Sequence, residues 1–81
     1  MFYYVDGTVS VLQTGLAVID CGGVGYACHA SQNTIGKLKI GARARLLTYL
    51  NVREDIFELY GFIDEEEQSC FEMMIGVSGV G

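Results

Sequence analysis

The chain has 81 residues, of which 51% are apolar, 11 are glycine and none is proline, and its formal net charge is −5. This length fits one small domain, the apolar fraction argues against disorder, and no apolar run approaches the ~20 residues that span a bilayer. Residues 1–63 carry five acidic and five basic side chains, whereas residues 64–81 carry five acidic ones and no base, so all of the net charge lies in the tail.

Alternating and β-branched segments predict five short strands. Val5, Gly7, Val9 and Val11 alternate with polar residues, a period of two that is typical of a half-buried strand. The predicted strands cover residues 4–11, 16–20, 24–30, 43–50 and 56–62. Glycines or polar residues mark the turns between them, and Ser31 is placed to cap a short helical turn.

The period changes after Ile63, where a helix is predicted. Asp64 is a good N-cap, and Glu67, three residues on, completes the pattern of a capping box. Four residues then line one face at helical spacing, and Gly76 ends the helix; the four are Cys70, Phe71, Met74 and Ile75.

Five strands with a small helical connection between the third and fourth are the outline of an OB-fold, a Greek-key barrel, although an SH3-like barrel gives a similar pattern. The fold class expected is therefore mainly β. We expect an OB-fold domain over residues 1–63, followed over residues 64–81 by the first helix and hairpin of a truncated helix-hairpin-helix domain. The chain is expected to belong to a longer protein, because it stops within a glycine turn.

Three features suggest sites, and each has a plain structural alternative. The segment from Cys21 to Arg53 holds all five bases and no acid, which suggests either an anion-facing surface or a solvated charged face. Glu54 and Asp55, next to Arg53 at a predicted hairpin tip, are either an electrostatic wedge that repels phosphates or an ordinary polar turn. The glycine turn at residues 77–81 is either a phosphate grip or a helix C-cap.

The sequence contains no pattern that supports a catalytic or metal site. The spacing of Cys21, Cys28 and His29 matches no zinc pattern, and neighbouring residues on a strand point to opposite sides. No triad, metal set or nucleotide loop is present, so we expect no enzyme activity, no metal and no cofactor. The chain has three cysteines, Cys21, Cys28 and Cys70, and no CxxC pair. An odd number without such a pair predicts buried free thiols in a reducing cytoplasm.

Three segments in register resemble one family. Asp20 to Tyr26 (D-C-G-G-V-G-Y) is similar to its G-G-V-G-Y signature, and Val52 to Asp55 followed by Leu59 to Phe62 is similar to its V-R-E-D…L-Y-G-F signature. The closing Gly79-Val80-Gly81 resembles its first helix-hairpin-helix. The family is RuvA, the Holliday-junction-binding subunit of the bacterial RuvAB branch-migration complex.

The resemblance implies a non-catalytic role in DNA recombination, DNA repair and the SOS response. It implies a cytoplasmic homotetramer that holds four-way junction DNA independently of sequence, with the RuvB motor ATPase and the RuvC resolvase as partners. Glu54 and Asp55 match the acidic pin at the junction centre, with Arg53 as the adjacent base. The phosphate-contacting hairpin matches Val77, Ser78, Gly79, Val80 and Gly81.

None of these 81 residues resembles the family's RuvB-binding domain or its second hairpin motif. The alternative function is therefore an oligomer-assembly module with little DNA affinity of its own.

Overall fold

The computed structural model describes residues 2–76, and its strands form one closed barrel. The elements are β1 (Tyr4–Gln13), β2 (Leu16–Cys21), β3 (Val24–His29), α1 (Gln32–Gly36), β4 (Arg43–Arg53), β5 (Ile56–Phe62) and α2 (Glu65–Met74). Around the barrel the strands follow the order β1-β2-β3-β5-β4, and β4 closes on β1. This five-stranded barrel confirms the expected mainly β fold class and is consistent with an OB-fold.

Strand β1 bends and pairs with two neighbouring strands. Residues 4–8 pair with β4, and residues 8–13 pair with β2. Gly7 lies in the bend, where a Cβ atom would be 2.2 Å from the carbonyl oxygen of Asp20. No side chain fits at that distance, so the close approach of the two strands requires glycine at this position.

One prediction about β1 is wrong. The alternation from Val5 to Val9 predicts that Val11 also faces the core, but the β1–β2 register shifts between Val9 and Val11. A β-bulge inserts one residue into a strand and reverses the faces beyond it. Leu12 therefore packs against the core instead.

The core fills the barrel interior with one or two side chains from each strand. Ile19 and Leu46 are the largest of its fully buried side chains. The whole buried cluster comprises Val5, Val9, Ala17, Ile19, Cys28, Leu46 and Leu59. Cys28 is buried and free, but Cys21 is only half-buried and Cys70 is exposed, so the expectation of buried thiols holds for one cysteine of three.

Helix α2 begins and ends as predicted. The Asp64 Oδ1 atom accepts a hydrogen bond from the Glu67 N–H at 2.9 Å, and Gly76 follows the helix with φ +81°. Such a left-handed glycine is a common end for a helix. The capping box is formed in one direction only, because the Glu67 carboxylate accepts its hydrogen bonds from elsewhere.

Candidate nucleic-acid interface

The hairpin of β4 and β5 carries the two acidic residues of the predicted pin at its tip. Arg53 pairs with Ile56, which leaves Glu54 and Asp55 as a two-residue turn. Both acidic residues are exposed, and Arg53 beside them is exposed as well. The structure therefore brings two carboxylates and one guanidinium together at one end of the barrel.

Apolar side chains flank this acidic turn. Val52 lies opposite Phe57 across the hairpin, and these two side chains are 58% and 72% exposed. Ile56, next to the turn, is 38% exposed. The sequence predicts Ile56 and Phe57 only as part of a strand, although two large apolar residues directly after an acidic pair are a signal of a further role.

A second charged group lies where β1 pairs with β4. The Asp6 carboxylate accepts hydrogen bonds from Arg43 Nε and Arg45 Nε, each at 3.0 Å. The hydrogen bond from Arg45, together with the charges of both arginines, lowers the pKa of Asp6 despite some desolvation. The Arg45 guanidinium also lies 4.3 Å from the centre of the Tyr4 ring, a cation–π contact.

The expected basic surface is divided. Arg43 and Arg53 stand at opposite ends of β4, and a straight strand of ten steps of about 3.3 Å would span about 33 Å. Asp6 neutralises one of the two charges at the first end. Arg53 therefore stands apart from Arg43 and Arg45, and these three bases do not form one patch.

Helix α2 is joined to helix α1 by a network centred on Glu67. Its carboxylate accepts hydrogen bonds from Ser31 Oγ at 2.5 Å, from Asn33 Nδ2 at 3.2 Å and from Thr34 Oγ1. Thr34 is fully buried, and its hydroxyl oxygen also accepts the Ile63 N–H at 3.1 Å. Burial alone would raise the pKa of Glu67, but these donors together lower it.

An aromatic contact holds α2 one turn further on. The Phe71 ring packs against Tyr60, Phe62 and Tyr49, with centroid distances of 4.9, 5.1 and 5.7 Å. Of the predicted apolar face, Met74 and Ile75 stay exposed, and so does Cys70. Between α2 and the barrel lies a groove of about 350 Å³ whose lining includes Cys70, Phe71 and Met74.

His29 and the cysteines are separated by the fold. His29 is exposed, 3.7 Å from the Glu58 carboxylate, whereas neighbouring Cys28 faces the core. Within residues 2–76, no group of three or more His, Cys, Asp or Glu side chains is arranged to hold a metal ion. No helix in the same range is long and apolar enough to cross a membrane. The predicted phosphate-contacting hairpin at residues 77–81 lies outside the described residues.

A closed five-stranded barrel with an acidic hairpin tip and a helix packed on its side defines an OB-type domain. The family model described as the RuvA N terminal domain matches residues 1–61, and the chain belongs to that family.

Curated relatives match the whole chain. The subunit named Holliday junction branch migration complex subunit RuvA from Streptomyces coelicolor is 47% identical over 81 residues, which are 100% of this chain and 40% of the relative. The proteins of the same name from Bacteroides thetaiotaomicron and Acetivibrio thermocellus are 43% and 42% identical, and the matched region covers 100% of this chain and 40% and 41% of theirs. The chain thus spans about 40% of the length of these relatives.

Proposed function

We propose that this chain forms the central barrel of a protein that holds four-way junction DNA, and that it does so without catalysing a reaction. The observation that carries the proposal is the exposed two-residue turn of Glu54 and Asp55 on a protruding hairpin. Membership in the RuvA N-terminal domain family supports it.

The mechanism is electrostatic exclusion by the pin. Two unit charges about 4 Å apart in water interact by about 1 kcal/mol, and salt screens them beyond about 8 Å. The carboxylates of Glu54 and Asp55 therefore repel a phosphate only at close range. A continuous duplex cannot keep its phosphates away from the tip, whereas the centre of an open junction can. Arg53 offsets part of the repulsion at one neighbouring phosphate.

The family resemblance extends the proposal to the whole protein. Four copies would surround the junction in the cytoplasm, the hairpin at residues 77–81 would bind phosphate through its backbone, and RuvB and RuvC would be partners. Backbone contacts of that kind would make binding independent of base sequence.

The test is a chimera in which these 81 residues replace the matching part of the Streptomyces coelicolor relative. In the chimera, the double change Glu54→Gln and Asp55→Asn should tighten duplex binding, because two repulsions are lost. We expect the junction-to-duplex affinity ratio to fall about tenfold at low salt, as measured by gel shift.

The matched control is Glu65→Gln with Glu66→Gln, which removes two exposed carboxylates from α2 instead. This control should leave the affinity ratio unchanged. A ratio that is insensitive to the pin change refutes the role of the pin. A chimera that does not bind the junction at all refutes the proposed function.

A second candidate function is oligomer assembly. Met73 and Met74 at the end of α2 are 72% and 78% exposed, Ile75 just after the helix is 45% exposed, and neighbouring exposed apolar side chains of this kind are typical of interfaces. Sedimentation of the 81-residue chain tests this candidate. A stable tetramer supports assembly by these residues, and a monomer at high concentration contradicts it.

A further inference from the structure

The barrel has one short seam, between β3 and β5. These parallel strands pair only at Cys28 with Leu59 and at His29 with Tyr60. Continuing that register toward the acidic tip would place Tyr26 opposite Phe57, but no pairing extends there. The two strands therefore diverge and open the wall of the barrel on the side of the pin.

The strand edges at this opening carry free backbone groups. Because Gly22 and Gly23 form a two-residue turn, Cys21 and Val24 are a hydrogen-bonded pair, and hydrogen-bonded and open pairs alternate from there. Gly25 and Ala27 accordingly turn their backbone groups away from β2 and toward β5. The Ala27 carbonyl accepts the Leu59 N–H in the Cys28–Leu59 pair, so at Ala27 only the N–H is left for a ligand.

The same rule applies to the other edge. Arg53 and Ile56 flank the two-residue turn of the β4–β5 hairpin and form a hydrogen-bonded pair, so Phe57 belongs to an open pair. Its N–H and C=O groups therefore face the opening from the side of β5. Donors and acceptors from both strands converge on the same space.

Aromatic side chains complete this space, which we name the β3–β5 cleft. It has a volume of about 190 Å³ and is lined by Phe2, Gly25, Tyr26, Ala27, Leu50, Phe57 and Leu59. Phe2 packs edge-on against Tyr26 with ring centroids 5.7 Å apart, which closes one end. The lining contains no charged side chain, and Phe57 presents most of its ring to solvent.

We propose that the β3–β5 cleft receives one unstacked nucleobase of the bound DNA. The Phe57 ring stacks on the base, and the Ala27 N–H together with backbone groups of Gly25 and Phe57 forms hydrogen bonds with its edge. Because every base presents both donors and acceptors, this contact accepts any base. The inference rests on the proposed function, since it supplies a place for a base that leaves the stack beside the pin.

Size and charge favour a base over other parts of the DNA. The cleft is smaller than the pockets of about 300 Å³ or more that take drug-sized ligands, and it suits one flat ring system. Glu54 and Asp55 lie two or three residues from Phe57, so a phosphate is repelled there while a neutral base is not. Stacking on an aromatic ring is a common way to hold a base without reading its identity.

The test uses the 81-residue chain labelled with ¹⁵N and titrated with 2′-deoxyadenosine. We expect saturable shifts of the Gly25, Ala27 and Phe57 amide signals, with a Kd in the millimolar range. Phe57→Ala should weaken binding by about fivefold or more. The matched control is Tyr3→Ala, because Tyr3 is 71% exposed and lies outside the cleft lining; it should leave binding unchanged.

Four outcomes overturn the inference: no shifts at the cleft, equal shifts with 2-deoxyribose 5-phosphate, an unchanged Kd in Phe57→Ala, or preference for an extended tetrapeptide. The spectrum of each variant shows directly whether the barrel is folded. If the cleft does not bind the nucleoside but the chimera binds the junction normally, only the base site is refuted. If the cleft binds the nucleoside but the chimera does not bind the junction, only the proposed function is refuted.

Discussion

Glu67 joins α2 to α1 and the segment before it through three side-chain hydrogen bonds. It accepts hydrogen bonds from Ser31, Asn33 and Thr34, which lie 33 to 36 residues earlier in the chain. A carboxylate with three donors is favoured in its charged form, and the pKa of Glu67 is accordingly lowered from its ordinary value of 4.5. A group with a lowered pKa in the folded state stabilises that state above its unfolded pKa, and this contribution is lost as the pH falls.

Glu67→Gln should therefore destabilise the chain by about 1–2 kcal/mol at pH 7, because a neutral amide accepts weaker hydrogen bonds. The difference from wild type should shrink as the pH falls from about 5 through the lowered pKa of Glu67. Urea unfolding between pH 3 and pH 7 measures it.

Glu66→Gln is the matched control, since Glu66 is an exposed carboxylate on the same turn of α2. It should cost less than about 1 kcal/mol. A Glu67→Gln deficit that stays constant over the whole pH range would contradict the role of the carboxylate charge.

The three thiols should differ in reactivity because they differ in burial. Burial, and secondarily the nearby Cys21, raise the pKa of Cys28 to about 11, and its side chain is fully buried. Since the thiolate is the reactive form, iodoacetamide at pH 8 should alkylate exposed Cys70 first and Cys28 only after unfolding. Peptide mass spectrometry measures the order, and Cys28 alkylation at the rate of Cys70 in the folded protein would contradict it.

At this scale the sequence predicts short-range contacts better than long-range ones. Asp64 as the N-cap of α2 and Gly76 as its end follow from residues three or four positions apart, and both are confirmed. The reciprocal capping bond of Glu67 was predicted by the same local rule. It does not form, because donors distant in sequence provide a better site for the carboxylate.

Strand β1 lies so close to β2 at Gly7 that only glycine fits there. A Cβ atom at Gly7 would meet the Asp20 carbonyl oxygen at 2.2 Å, and a backbone atom cannot move aside as a flexible side chain can. Gly7→Ala should therefore destabilise the barrel by about 3 kcal/mol or more. Thermal or urea unfolding measures the loss.

Gly36 provides the control for this substitution. It ends α1, and a Cβ atom there would meet nothing within 4 Å. Gly36→Ala should change stability by no more than about 1 kcal/mol. Equal losses in both variants would show that the close approach of β1 and β2 is not what requires glycine at position 7.

Strand periodicity predicts the elements well and their edges less well. All five predicted strands are present, since a period of two with β-branched residues depends only on neighbouring positions. The bulge after Val9 was missed, because a shift in register depends on the partner strand. The divergence of β3 from β5 depends on the partner strand in the same way, so the sequence indicates the β3–β5 cleft only through the large apolar residues Ile56 and Phe57 after the acidic pair.

The charge distribution of the chain as a whole disfavours extensive contact with phosphates. The net charge is −5, and Asp6 already neutralises part of the basic group at the start of β4. DNA binding depends on phosphate neutralisation by lysine and arginine, and a chain with so few free bases makes few such contacts. The 81-residue chain alone should therefore bind junction DNA at least 100-fold more weakly than the Streptomyces coelicolor relative.

Gel shifts at two salt concentrations, with both proteins and one junction, test this expectation. Equal affinities for the chain and the relative would contradict it. Enhanced duplex affinity of an Asp6→Asn variant would support the assignment of Asp6 as the neutralising group, because both arginines would then be free to contact phosphates.

Two of the contacts that attach α2, made by Glu67 and Phe71, have a consequence for how the chain tolerates changes in length. Glu67 and Phe71 lie four residues apart, so the hydrogen-bond network and the aromatic contact hold the same face of the helix. One residue inserted between them would turn the rest of the helix by about 100° and advance it by about 1.5 Å. The part of α2 after the insertion would then turn another face to the barrel, so natural insertions and deletions should be rare between Glu67 and Phe71.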